Sequence, residues 1–148
     1  PGKQASMISE SVIDYAEAKH AIDAICSEVS KRGKAGVIAV CDPHGELIAF
    51  ARMDGAPFSS INIAIHKAYS AARERKPSKD IGNAARLPET GIDIGYFGDP
   101  KFTGRGGGVP VWRANKVVGA IAVSGLPEAE DTELAVMGVD AILSRASA

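Results

Sequence analysis

Apolar positions recur along the chain with two different spacings, and the changes between them mark out its elements. Tyr15, Ala18, Ile22, Ile25 and Val29 stand three and four residues apart, which predicts a helix with one buried stripe. Ser9 sits where an N-cap would, with Ile8 and Ile13 spaced as a hydrophobic staple, and Lys31-Arg32-Gly33 supplies basic residues and a glycine stop. The apolar runs at 36–41 and 46–52 are too short for helices. They flank Asp42-Pro43-His44-Gly45, so they read as a hairpin around a turn. A second helix is predicted from Ser59 to Arg75, with Ile61, Ile65, Ala68 and Ala72 facing inward and Pro77 ending it.

The pattern breaks down between Ser78 and Arg105, where Gly, Pro and Asp punctuate the chain and only a short helix at 79–85 is legible. A long irregular stretch inside a compact domain is commonly functional or an interface. A second hairpin follows, 109–113 and 116–125 around Ala114-Asn115, and Pro127 with Glu128, Glu130, Asp131 and Glu133 opens a last helix. Two hairpins separated by helices predict an antiparallel sheet covered by helices rather than a βαβ array. That order decides how to read "GRGGGVPVW". A dinucleotide or phosphate loop follows a strand and opens a helix, whereas this glycine run leads into a strand carrying Pro110, so both motifs are excluded.

Composition narrows the classes. The 148 residues fit one domain, taken as 7–148, with 1–6 read as a remnant of expression. Seventeen basic residues against 18 acidic leave a net charge of −1, and no basic stripe suggests a nucleic-acid partner. No apolar run approaches the roughly 20 residues of a membrane span. No signal peptide is visible, so a cytoplasmic location is expected. Cys26 and Cys41 lack the spacing of a zinc site or a disulfide framework, and HExxH, CxxC and GxSxG are absent.

A few residues could carry chemistry. His20 lies opposite the buried stripe of the first helix, beside Ile13, Ala16 and Ala24, where a second surface or a flat ligand could pack. Lys67 has Ala64 and Ala71 above and below it, so its stem can lie on apolar surface, while His66 is expected to face water. Asp131 is in line with Ala135, Gly138 and Ile142, which aims a carboxylate inward at a helix start, as a cap or as one wall of a site. Met53 closes the second strand beside Arg52 and Asp54, where a pocket mouth could form. The bare amides of Gly106, Gly107 and Gly108, next to Arg105, could face an anion or allow a close packing contact.

Taken together, "CDPHGELIAFARMDGA", "AIHKAYSAA", "GRGGGVPVW" and "VVGAIAVSGLPEAED" resemble the GlcG/HbpS-like group, labelled haem-binding or haem-degrading and related to the C-terminal domain of PduO-type proteins. The resemblance runs from Ser9 to Ala146 with the motifs in the family's order. It implies a profilin-like α/β/α layering around a five-stranded antiparallel sheet, assembly into dimers or higher oligomers, and one site lined by the glycine run, Lys67 and Asp131. Members accompany glycolate, diol and aromatic catabolism. Some bind haem at subunit surfaces through a first-helix histidine, a place His20 would fill here.

Two functions follow as expectations. In the first, the chain binds haem or a related tetrapyrrole, with His20 on the iron and the glycine run against the propionates. In the second, it is a small catabolic enzyme for a carboxylated or aromatic metabolite. Arg105 and the Gly106–Gly108 amides would hold the anion while Lys67 and Asp131 exchange protons.

Overall fold

The structure is a computed structural model that describes residues 7–146. The expected remnant at 1–6 lies outside the described residues. Helix α1 (Tyr15–Lys31) leads into the hairpin β1 (Val37–Cys41) and β2 (Leu47–Arg52), then α2 (Ser60–Glu74) and α3 (Ser78–Ala85). A 3-10 turn (Ile94–Phe97) precedes the hairpin β3 (Gly108–Arg113) and β4 (Lys116–Ser124), and α4 (Glu128–Ala146) is the last described element.

The four strands form one antiparallel sheet in the order β2-β1-β4-β3. The resemblance implied a fifth strand, and the described residues form none. The segment before α1 touches the sheet where the Ile13 N–H donates to Val118 O at 3.0 Å, but it makes no ladder. Its pattern explains this: Ile13 is buried while Ser9, Glu10, Ser11 and Val12 face solvent, so no alternating apolar face exists to pair.

The first helix also starts later than Ser9 predicts. Asp14 is the N-cap of a complete capping box: the Glu17 N–H donates to Asp14 Oδ1 at 2.8 Å and the Asp14 N–H to Glu17 Oε1 at 3.1 Å. Tyr15, expected on the buried stripe, is 62% exposed, whereas Ala18, Ile22, Ile25 and Val29 are buried as expected.

Helices α1 and α4 cover one face of the sheet and α2 the other, with α3 beside α2. The two interfaces differ in grain. Ile25, Ile38, Val40, Val111, Ile121, Val123, Leu134 and Ile142 fill the first. The second is mostly alanine, with Ala39, Ala120 and Ala122 from the sheet against Ala64, Ala68 and Ala71 of α2. Of the four residues expected on the inner face of α2, Ala68 and Ala72 are buried, while Ile61 and Ile65 lie only at its margin. Small side chains let helix and sheet approach closely, and that closeness determines where Lys67 ends up.

Candidate functional site

Strand register sets one end of the molecule. Val37 pairs with both Arg52 and Ser124, and Gly108 pairs with Ala122, so β1 and β3 begin where β2 and β4 end. Lys67 arrives there from the α2 layer and Asp131 from the first turn of α4, in the opposite layer. Lys67 Nζ donates to Val123 O at 3.0 Å and to Asp131 Oδ2 at 3.2 Å. The other carboxylate oxygen, Asp131 Oδ1, accepts the Leu126 N–H at 3.1 Å, a local cap for the turn entering α4. Both residues are 2% exposed. A lysine expected to snorkel to solvent is instead enclosed, because the alanine face of α2 carries its stem inward along the sheet.

Burial governs the electrostatics of this pair. It lowers the Lys67 ammonium below the usual lysine range, against the pull of Asp131, and the charge of Arg105 adds to the lowering. It raises the Asp131 carboxyl to about 6, although Lys67 and the Leu126 amide both favour the carboxylate.

The glycine run passes directly over this pair. Gly107 has φ +126, and a Cβ there would stand 2.6 Å from Val123 O and 2.7 Å from Lys67 Nζ. The residue is glycine because the ammonium and a strand carbonyl occupy the space a side chain would need. The run was expected to leave its amides bare for an anion, and here the structure differs. All three glycines are buried. The Gly108 N–H donates to Ser78 Oγ at 2.9 Å, and Gly107 O accepts the Val123 N–H at 3.0 Å. Lys79 Nζ lies 2.6 Å from Glu128 Oε1, and this lysine, with help from the Gly106 amide, holds the Glu128 carboxyl below its ordinary range. The anion on the run is the protein's own side chain. Ser78, Lys79 and Glu128 close the site, and the sequence reading missed that role: Glu128 read only as an acid at a helix start.

The remaining candidates lie elsewhere or at the edge. Arg105 is exposed beside the run, its N–H donating to Thr103 Oγ1 at 3.2 Å. Met53 sits at the same end of the sheet but past the far edge strand, roughly 14 Å away by three strand spacings. It packs against the α1/α4 core. His20 is exposed on the outer face of α1, with no bonding partner among the described residues, and Ala16 and Ala24 lie one turn to either side. Ile13, expected beside it, lies outside the helix and is buried in the core. No element brings His20 to the glycine run. His66 is half-buried, and His44 Nε2 stands 2.8 Å from Glu10.

The irregular stretch after α3 is tied down. Tyr69 OH donates to Asp99 and accepts from Arg73, whose guanidinium lies over the same ring. Phe102 packs edge-on to Tyr69 and Phe97, with centroids 5.4 and 4.7 Å apart. The Thr103 N–H donates to Ser70 Oγ at 2.9 Å. Among the described residues no group of three His, Cys, Asp or Glu could hold a metal ion, both cysteines are free, and no helix is long and apolar enough to cross a membrane.

Comparison with known proteins agrees with the architecture. An uncharacterized 15.0 kDa protein from the dhaT-dhaS intergenic region of Citrobacter freundii is 30% identical over 128 residues, covering 86% of this chain and 90% of that one. The crystal structure of Klebsiella pneumoniae protein ORFY superposes with a TM-score of 0.87 at 27% identity, over 97% of this chain and 99% of that one. The crystal structure of a PduOC–haem complex superposes with a TM-score of 0.81 at 20% identity, over 88% of this chain and 94% of that one, a likeness of fold. The family model described as "Haem degrading protein HbpS-like" matches residues 13–140. The chain therefore belongs to the HbpS-like family.

Proposed function

We propose that the chain is a haem-binding, or related tetrapyrrole-binding, protein in which His20, on the outer face of α1, would hold the iron. The observation that carries this reading is the state of the three histidines. His44 is engaged by Glu10 and His66 is half-buried, whereas His20 is exposed and has no partner among the described residues. Ala16 and Ala24 leave flat ground around it, which suits a planar macrocycle. The family description and the haem complex of a relative with the same fold support the choice of ligand. One helix face covers one side of a macrocycle, so the reading includes a second copy covering the other side. Neutral imidazole is a good iron ligand, and bound haem would supply iron-centred redox chemistry. The glycine run takes no part in this reading, because it is buried, with the Gly108 amide on Ser78 and the Gly106 amide on Glu128.

Titration with hemin should give a Soret band that is lost in His20→Ala and kept in His66→Ala. Identical spectra for wild type and His20→Ala would remove His20 from the account.

The buried pair supports a second reading, proton transfer on a small carboxylated or aromatic metabolite. An acid near 6 beside a lowered lysine is matched to exchange protons at neutral pH. The Lys79–Glu128 closure would have to open, with the substrate carboxylate taking the place of Glu128 beside Arg105. A thermal-shift screen of small carboxylates tests it: a binder present at a hundredfold excess over Kd should stabilise by about 2.7 kcal/mol. Glu128→Gln should strengthen that response. A flat screen with both proteins ends this reading.

A further inference from the structure

We infer that a groove at the opposite end of the sheet from Lys67 binds a planar aromatic carboxylate, with the ring on Trp112 and the carboxylate on Arg75 and Lys116. The groove lies between the segment before α1, the β1–β2 turn, the end of α2 and the β3–β4 hairpin. Its volume is about 770 Å³. That is within the size range of small-molecule sites, and it takes no part in the haem reading above.

Charge is the first argument. Three permanent cations, Arg73, Arg75 and Lys116, line the groove against one carboxylate, Glu10. Glu10 is engaged with His44, and Arg73 with Tyr69 and Asp99. Arg75 and Lys116 have no partner among the described residues. Two cations without a carboxylate partner in one groove suit an anion.

Backbone conformation is the second. Arg75 caps α2 in the left-handed region, φ 57 and ψ 41, with its N–H donating to Ala71 O. This is the helix-end position that normally takes glycine, and a side chain there costs roughly 1–2 kcal/mol. An arginine held at that cost and lining a groove points to a role that glycine could not fill.

The third is the platform. Trp112, the chain's one tryptophan, stands on edge strand β3 and is 47% exposed. Ala72 and Val117, both buried, give the same groove an apolar base. A half-exposed indole in a groove with apolar lining suits a flat ring.

The location selects carboxylate over phosphate. The groove abuts the C-terminal end of α2, where the helix dipole is negative and opposes a second anionic charge. A guanidinium fork beside an ammonium matches a singly charged carboxylate.

The single tryptophan also reports on binding. Benzoate added to the whole chain should change Trp112 fluorescence saturably, with weaker responses to phenyl phosphate and to uncharged benzamide. Arg75→Gly should weaken benzoate binding about tenfold while leaving the thermal midpoint unchanged or higher, since glycine suits the left-handed position. Lys116→Gln should weaken it as well, and His20→Ala should leave it unchanged. No saturable change, phenyl phosphate or benzamide binding as tightly as benzoate, or full affinity in Arg75→Gly would each overturn the assignment.

Discussion

Lys67 and Asp131 are each costly to bury and tolerable only together. Lys67→Met leaves an enclosed carboxylate without its cation, and the loss should be about 3–5 kcal/mol in chemical denaturation. Adding Asp131→Asn to that variant should recover part of it, and the double-mutant cycle measures the coupling. The pH response has a definite sign. The folded-state pKa of Asp131 is raised from 3.8 to about 6, so its proton favours the folded state. Its contribution to stability is present below 3.8 and is lost as pH rises through about 6. Wild type should therefore gain stability relative to Asp131→Asn as pH falls across that window. Parallel curves for the two proteins would show that the carboxyl is not raised. From the sequence, the inward aim of Asp131 was legible because the spacing of α4 is regular. The enclosure of Lys67 was not. The inner face of α2 was legible, but not that its alanines lie deeper against the sheet than Ile61 and Ile65.

At the level of elements, hairpins read most clearly. Ala114 and Asn115 both adopt positive φ, 51 and 64, the conformation a two-residue hairpin turn requires, and the strands fall within a residue or two of expectation. Helix starts read less well where two caps compete. Ser9 was favoured for its staple, yet Asp14 and Glu17 carry the reciprocal pattern that forms. Removing the cap with Asp14→Ala should cost about 1 kcal/mol, read as a shift of the denaturation midpoint. Ser9→Ala should cost a few tenths at most. Equal effects would place the helix start wrongly. The stretch from Ser78 to Arg105 stayed opaque because long-range side-chain bonds organise it: Asp99 to Tyr69, Thr103 to Ser70 and Glu128 to Lys79. Sequence spacing carries no trace of such partners.

Across the whole molecule, one chain leaves an apolar strip uncovered. Leu87, Ile92, Tyr96 and Phe97 are all exposed within one segment, and Tyr96 reaches 82%. Monomeric proteins rarely leave such a strip in contact with water. Light scattering should report a mass above the 15.3 kDa of one chain. Ile92→Glu with Tyr96→Glu should shift the protein toward that single-chain mass while leaving its helical circular-dichroism signal unchanged. A wild-type protein that stays monomeric at high concentration would contradict this. The helix-covered antiparallel sheet followed from the order of hairpins and helices, and its three layers from the family resemblance. The count of four strands did not, because it depends on whether the segment around Ile13 pairs or merely leans on the sheet.

The alanine seam beneath α2 has a consequence for sequence drift. The opposite layer is filled by branched side chains that can trade volume with one another, so one enlargement there can be answered by a reduction nearby. The seam has no such reserve. A methyl group is already the smallest side chain that excludes water, and adding carbon at Ala68 or Ala122 lifts the whole helix off the sheet. Because the ammonium rides on that helix, a mutation elsewhere along the seam would still register at the charged pair. Related chains should vary freely on one side of the sheet and hardly at all on the other.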